Sequence, residues 1–155
     1  MKKITLIFSL IFLVGCSDKS ENIDSQSIDK NETFNWRLVT SWPKNYPGLG
    51  MAPERIADLV EEMSDGQMKI TVYGAEEQVP AFGVFDAVSS GSHQMGHSGG
   101  YFWKGKVPAA QFFTSVPFGL TADEINAWVN RGGGLELWRE IYAPFNIYPI
   151  PAGNT

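Results

Sequence analysis

Short apolar runs alternate with helical periods along most of the chain. The runs 34–40, 68–73 and 94–96 predict three strands, because each is short and bounded by turn-forming residues. Apolar residues at spacings of three and four predict a helix over 56–63, and a second helix follows Pro80. The order strand, helix, strand, helix, strand is typical of an α/β lobe whose largely parallel sheet is covered on both faces.

The last third of the chain continues this alternation. Residues 111–116 predict another strand. Thr121, followed by two acidic residues, predicts the start of a helix, because a threonine cap and early negative charges both suit a helix N-terminus. A further helix is predicted over 135–141, and residues 145–150 predict a final strand.

Three loops of unusual composition follow predicted strand ends. They cover residues 42–50, 74–80 and 96–106, and each contains glycine or proline. In open α/β sheets, ligands bind in the crevice beyond the carboxyl ends of the strands. We therefore expect these three loops to line one edge of the sheet and to form a binding site there.

The first 33 residues predict two units that precede the folded lobe. Residues 1–15 have the positive start, the short apolar stretch and the small final residue of a signal peptide. Cys16 follows Leu-Val-Gly, which resembles the bacterial lipobox, so we expect it to carry a lipid after cleavage. The polar composition of the rest of 16–33 predicts a flexible tether. The folded lobe is then 34–155. We expect it in the periplasm or on the outside of the cytoplasmic membrane, with a lipid anchor in either case.

Charge and cysteine content narrow the classes of partner and site. Without residues 1–15 the chain has ten positive and seventeen negative side chains, a balance of −7, which argues against nucleic acid as a partner. A small anion remains compatible, since one local cation or a helix N-terminus can hold it. A single cysteine forms no disulfide within the chain. His93 and His97 fall at a turn and a strand end, so no metal site is predicted.

The segment 96–100, Gly-His-Ser-Gly-Gly, fits the Gly-x-Ser-x-Gly pattern that presents a nucleophile in many serine hydrolases. A secreted esterase that uses Ser98 is therefore one hypothesis. It requires a helix directly after the serine and a histidine later in the chain, whereas both histidines precede Ser98. The alternative is a glycine-rich loop whose backbone approaches a small ligand closely.

Several motifs occur together, in order, from about Trp36 to the end of the chain. They are WPKNYPGLG (42–50), VPAFGVFDAV (79–88), YFWKGK (101–106), FFTSVPFGL (112–120), GGG (132–134) and PAGNT (151–155). Together they resemble the substrate-binding proteins of TRAP (tripartite ATP-independent periplasmic) transporters. Within that family the resemblance is to the group that binds 2-oxo acids and related monocarboxylates.

The resemblance implies a periplasmic-binding-protein-like clamshell of two α/β lobes that closes on an organic acid. This chain would supply the first lobe and the start of the hinge crossover, with the second lobe absent. The family's carboxylate-binding arginine comes from that second lobe. A cation beside the substrate is possible in full-length members, but the resemblance assigns no metal ligand or other cofactor to this chain. The implied partners are a small organic acid and the integral membrane subunits of a TRAP transporter.

Four residues are the candidates for substrate binding. Tyr101 is expected to donate its hydroxyl to a carboxylate or keto oxygen, with packing beside Phe102 as the alternative. Phe82 and Phe118 are expected to form apolar walls, or else to belong to the core. Asn154 is expected to reach the ligand from the hinge, or only to cap a turn.

The first functional hypothesis is therefore a lipid-anchored binding protein without enzymatic activity, which captures a 2-oxo or 2-hydroxy monocarboxylate for import. Closure of two lobes around the ligand would create the form that the permease recognises. The Ser98 esterase is the second hypothesis. The third is a truncated, non-transporting remnant, because the sequence stops directly after a strand-like run and we expect a fragment.

Overall fold

The computed structural model describes residues 32–114 and 116–153, and these contain a three-stranded parallel sheet. The strands are β1 (Phe34–Thr40), β2 (Met68–Tyr73) and β3 (Met95–His97), in the order β2-β1-β3. β1 pairs with both neighbours in parallel, so all three carboxyl ends lie at the same edge. The three strands predicted from the sequence are confirmed.

Helices connect the strands and continue beyond the sheet. They are α1 (Met51–Met63), α2 (Val84–Ser89), α3 (Ala122–Arg131) and α4 (Gly134–Tyr142), with 3₁₀ turns at Ala81–Gly83, Gly100–Trp103, Pro108–Phe113 and Ala143–Phe145. Thr121 caps α3 in a reciprocal pair with Glu124, as the sequence predicts. Among the residues that the structure describes, no helix is both long and apolar enough to cross a bilayer.

The two connecting helices cover opposite faces of the sheet. Leu38 packs with Ala57 of α1, whereas its neighbour Val39 packs with Val84 and Ala87 of α2. Successive strand residues point to opposite faces, so this alternation places α1 and α2 on different sides. The predicted α/β lobe, with its sheet covered on both faces, is confirmed.

A helical layer lies beyond α2 and is built from aromatic residues. Phe85 of α2 packs with Val107, Ala110 and Tyr142. The ring of Phe113 lies 5.3 Å from the ring of Trp128 and 5.3 Å from that of Trp138, stacked on both.

Two predicted strands are wrong. Residues 111–116 were expected to be extended, but Pro108–Phe113 forms a 3₁₀ helix. Phe113 is held there by stacking on Trp128 and Trp138. Residues 145–150 were also expected to form a strand. Instead, Asn146 adopts a left-handed conformation with φ of 57°, and Pro149 removes a backbone donor that a sheet would need.

Candidate functional site

Backbone hydrogen bonds join the segments that leave the three strands. The N–H of Ser41, after β1, donates to the carbonyl of His97 at the end of β3, at 3.1 Å. The N–H of Ala75, after β2, donates to the carbonyl of Trp42 at 3.0 Å. The three loops that the sequence analysis singled out therefore meet at one edge of the sheet, where the parallel arrangement leaves room for a ligand.

An aromatic cluster lies at this edge, and Phe102 is its centre. The ring centroid of Phe102 is 4.5 Å from Tyr101, 5.0 Å from Phe82 and 6.1 Å from Trp42. These four residues are called the aromatic cluster below. Phe82 remains 68% exposed and Tyr101 37% exposed, so the cluster presents apolar surface to solvent.

The 3₁₀ turn Gly100–Trp103 divides its aromatic residues between the site and the core. Such a turn has three residues per turn, so successive side chains point about 120° apart. Tyr101 folds back over Gly99, where an added Cβ would lie 2.6 Å from the Tyr101 ring. Trp103 points inward, packs on Phe85 and donates its indole N–H to the Tyr142 hydroxyl at 2.6 Å. The turn thus anchors itself through Trp103 and leaves Tyr101 at the surface.

Two serine hydroxyls lie beside the aromatic cluster. Ser41 donates to the carbonyl of Ala81 at 2.7 Å, and the Oγ atoms of Ser41 and Ser98 are 2.5 Å apart. Ser98, Ser41 and the Ala81 carbonyl are called the hydroxyl relay below. They connect the loops after β3 and β1 to the turn that carries Phe82.

His97 ends β3 and faces the last residue of β1. Its Nδ1 lies 3.4 Å from the Thr40 hydroxyl, and its ring centroid lies 5.1 Å from that of Trp42. Burial lowers the pKa of His97 below the ordinary value of 6.5. The imidazole is therefore neutral at pH 7, and it can donate from one nitrogen and accept at the other.

Three charged side chains in the loops that follow β1 and β2 have partners. Lys44 forms an ion pair with Glu77 at 3.4 Å, and a Glu76 carboxylate oxygen accepts from the Ala81 N–H at 3.0 Å. Two arginines are engaged elsewhere: Arg37 donates to the Ser92 carbonyl at 2.5 Å, and Arg139 lies over the ring of Tyr148. Arg37 therefore has a backbone partner, and Arg139 has an aromatic one.

The structure brings two of the four predicted binding residues together. Tyr101 and Phe82 both contact Phe102. Phe118 is fully exposed, with a left-handed φ of 60°, and within the described part of the chain no ring contact joins it to the aromatic cluster. Asn154 and Cys16 lie outside the described residues.

Comparison with known proteins gives the family. Residues 38–150 match the family described as bacterial extracellular solute-binding protein, family 7. The chain belongs to this family. The matched span contains the last three residues of β1, all of β2 and β3, and the four members of the aromatic cluster. The resemblance to TRAP substrate-binding proteins inferred from the sequence motifs is thereby confirmed.

Relatives of this family 7 chain share its sequence and its fold. A protein of Nostoc sp. named a monocarboxylate 2-oxoacid-binding periplasmic protein is 48% identical over 120 residues, which are 77% of this chain and 33% of that protein. A TRAP periplasmic solute-binding protein of Pseudoalteromonas atlantica, solved with sodium and pyruvate, is 46% identical with a TM-score of 0.75. One from Colwellia psychrerythraea, solved with calcium and pyruvate, is 42% identical with a TM-score of 0.75.

The coverage of these relatives is partial. The match spans 77% of this chain in both structures, but only 36% and 37% of the two solved chains. The family 7 chain therefore spans about a third of the length of the relatives that it matches.

Sequence reasoning missed three parts of the site. Phe102 was interpreted only as a packing neighbour of Tyr101, although it is the centre of the aromatic cluster. Ser41 carried no motif, and the serine pattern drew attention to Ser98 alone. His97 was interpreted as a loop histidine without a ligand. The available signal was register, because residues that end adjacent parallel strands lie side by side.

The geometry of Ser98 differs from that of a hydrolase nucleophile. After Gly99 the chain enters a four-residue 3₁₀ turn instead of the α-helix that the nucleophile pattern requires. Its hydroxyl contacts Ser41, and among the described residues no histidine hydrogen bonds with it. Members of this family are solute-binding components of transport systems.

The described residues contain no group of three or more His, Cys, Asp or Glu side chains arranged to hold a metal ion. A shallow depression of about 550 Å³ is lined by acidic residues of α1 and by the turn that follows it. That turn leads into the amino end of β2, so the depression lies away from the carboxyl edge.

Proposed function

We propose that this chain is a lobe of an extracytoplasmic solute-binding protein that captures a small monocarboxylate, a 2-oxo or 2-hydroxy acid, for a TRAP transporter. One observation carries the proposal: in a family 7 lobe, three parallel strand ends meet beside an exposed aromatic cluster, two hydroxyls and a neutral imidazole. Apolar walls with a few convergent polar groups are typical of sites for small ligands. The names of the relatives, which mention 2-oxo acids or pyruvate, support the same ligand class.

In this proposal Tyr101 donates its hydroxyl to the carboxylate or keto oxygen, and Phe82 packs against the carbon chain of the acid. Phe118 forms a second apolar wall, and Asn154 reaches the ligand from the hinge. The full exposure of Phe118 supports its part, since that ring has most to gain from being covered.

The rest of the protein is part of the same proposal. Residues 1–15 are a signal peptide, residues 16–33 carry a lipidated Cys16 and a tether, and residues 34–155 are the first lobe. A second lobe supplies the arginine that pairs with the carboxylate, which fits an edge where Lys44 is already paired with Glu77. The protein then works outside the cytoplasm, held to the membrane by its lipid, beside the integral membrane subunits of the transporter.

For the complete protein the proposal includes a cation beside the acid, because two relatives were solved with sodium or calcium. Both ions prefer oxygen ligands, and calcium prefers several carboxylates. The polar groups at this edge are hydroxyls and an imidazole, while the carboxylates of Glu76 and Glu77 already have partners. The described residues therefore do not fit a cation cage, and none of them is assigned as a ligand.

Titration calorimetry on the native protein tests this proposal. Pyruvate, lactate, 2-oxobutyrate and a branched 2-oxo acid are titrated in buffers with and without sodium and calcium, and succinate serves as a dicarboxylate control. Saturable heat with at least one of the four monocarboxylates, and none with succinate, is the expected result. Absence of heat with all four in every buffer would overturn the proposal.

A further inference from the structure

The hydroxyl relay has a defined direction. A serine hydroxyl carries one proton, and a backbone carbonyl can only accept. Ser41 donates its proton to the Ala81 carbonyl at 2.7 Å, so it has none left for Ser98. In the 2.5 Å contact between the two hydroxyls, Ser98 is therefore the donor and Ser41 the acceptor.

The relay links segments that are far apart in sequence. Ser41 lies 57 residues from Ser98 and 40 residues from Ala81. Ser41 is only 8% exposed, so its bonds compete little with water. Ala81 directly precedes Phe82, and Ser98 lies three positions before Tyr101. Thus the polar relay joins the same two turns that the aromatic cluster joins through Phe102.

We propose that Ser98 and Ser41 are positioning residues, which fix the turn of Phe82 relative to Tyr101 and so limit the size of acid that fits. The proposal rests on the proposed function, because the wall and the hydroxyl it positions are those assigned above. The burial of apolar surface in the aromatic cluster is not directional, so by itself it constrains the position of the Phe82 turn less than a hydrogen bond does. The relay adds direction, and it holds the Ala81 carbonyl at a fixed place beside β1.

This role also accounts for the serine in the Gly-x-Ser-x-Gly pattern. The Ser98 hydroxyl donates to Ser41, and the Ser41 hydroxyl donates to a backbone carbonyl, which cannot act as a general base. Ser98 is then required as a donor to Ser41, and any residue that donates from the same place can replace it.

The test compares single and double variants of the native protein. Each is titrated with pyruvate and with 4-methyl-2-oxopentanoate, a longer acid, and the ratio of the two dissociation constants is measured. Ser41→Ala removes both bonds of the relay and is expected to shift the ratio about fivefold towards the longer acid, the size of effect that one ordinary hydrogen bond produces. Ser98→Ala is expected to shift it in the same direction by less.

The direction of the relay gives a second, sharper expectation. Because Ser98 acts only through Ser41, Ser98→Ala has no further effect on the ratio once Ser41→Ala is present. Ser98→Thr keeps the donor and is expected to retain the ratio of the native protein. Ser90→Ala is the matched control, since the Ser90 hydroxyl bonds to Ala87 at the end of α2 and not at this edge.

The outcomes distinguish failure of the proposed function from failure of the positioning role of the hydroxyl relay. Failure of the unmodified protein to bind either acid would overturn the proposed function. Binding with a ratio that is unchanged in both alanine variants, or equal and additive effects of the two, would overturn the relay. Hydrogen exchange over residues 79–85 covers variants that bind too weakly: faster exchange in Ser41→Ala than in Ser90→Ala supports the relay, and equal exchange contradicts it.

Discussion

At the residue scale, the 3₁₀ turn Gly100–Trp103 directs one aromatic side chain into the core and another to the carboxyl edge of the sheet. Trp103 is held inside by Phe85 and Tyr142, while Tyr101 stays at the surface over Gly99. The Tyr142 hydroxyl is satisfied by the Trp103 indole, and burial raises its pKa. Of the two tyrosines, Tyr101 therefore carries the hydroxyl that is exposed and available to a ligand.

Replacing Tyr101 by phenylalanine removes the proposed donor and keeps the ring against Phe102. We expect the affinity for pyruvate to fall about 10- to 150-fold, because a hydrogen bond to a charged group is lost. The free energy of unfolding is expected to change little, since the side chain is 37% exposed. Calorimetry measures the affinity, and Tyr148→Phe, a change at an exposed tyrosine outside this turn, is the control. Equal affinities for both variants would remove Tyr101 from the site.

Two histidines make stability depend on pH. The pKa of His97 is lowered by burial, and that of His93 is lowered by burial and by Arg37. Because the unfolded chain takes up protons near pH 6.5 while the folded state resists them, the free energy of unfolding falls as pH decreases below 6.5. Urea unfolding at pH 7.5 and pH 5.5, a window above the titration of ordinary carboxyl groups, measures the change. We expect the loss to be smaller in His97→Gln, and a loss equal to that of the native protein would contradict the assignment.

At the element scale, the sequence predicts those elements whose pattern and packing agree. β1, β2 and β3 and their helices follow from period and turn signals, and their parallel pairing follows from the order of elements. The predicted strands 111–116 and 145–150 fail because an apolar run fits a strand or a buried turn equally well until its partners are known. Phe113 stacks on two tryptophans, and residues 147–150 have no regular secondary structure.

The candidate site also contains parts that the sequence predicts and parts that it does not. The edge itself and two of its residues were predicted, because strand order and family motifs both point to them. The hydroxyl relay was not, since Ser41 and Ser98 are 57 residues apart and only the paired strands bring them together.

The contact between β3 and α2 depends on a glycine. A Cβ at Gly96 would lie 2.7 Å from a Val84 methyl and 2.9 Å from one of Val88. We expect Gly96→Ala to lower the free energy of unfolding by about 1–3 kcal/mol, because the added methyl group would overlap Val84, whose side chain is buried. Gly105→Ala is the control, since nothing lies within 4 Å of its added Cβ. Chemical unfolding of both variants measures the difference, and equal stability would show that α2 moves aside without cost.

At the scale of the whole molecule, the described residues form one lobe that leaves several large apolar side chains exposed. Phe82 and Phe118 are 68% and fully exposed, and two other exposed apolar residues, Phe112 and Leu120, lie close to Phe118 in sequence. Contiguous patches of exposed apolar side chains mark surfaces that bind ligands or other protein segments. In the proposed clamshell they are covered when a second lobe closes on the acid.

The central claim is that the carboxyl edge of the three-stranded sheet binds the monocarboxylate. The most direct measurement is an amide-resolved NMR titration of the native protein with pyruvate. The expected result is a set of saturable shifts at residues 41–42, 81–82 and 97–102, with little change around the acidic depression at 58–66. Saturable binding whose shifts avoid the edge and fall elsewhere in the protein would contradict the claim.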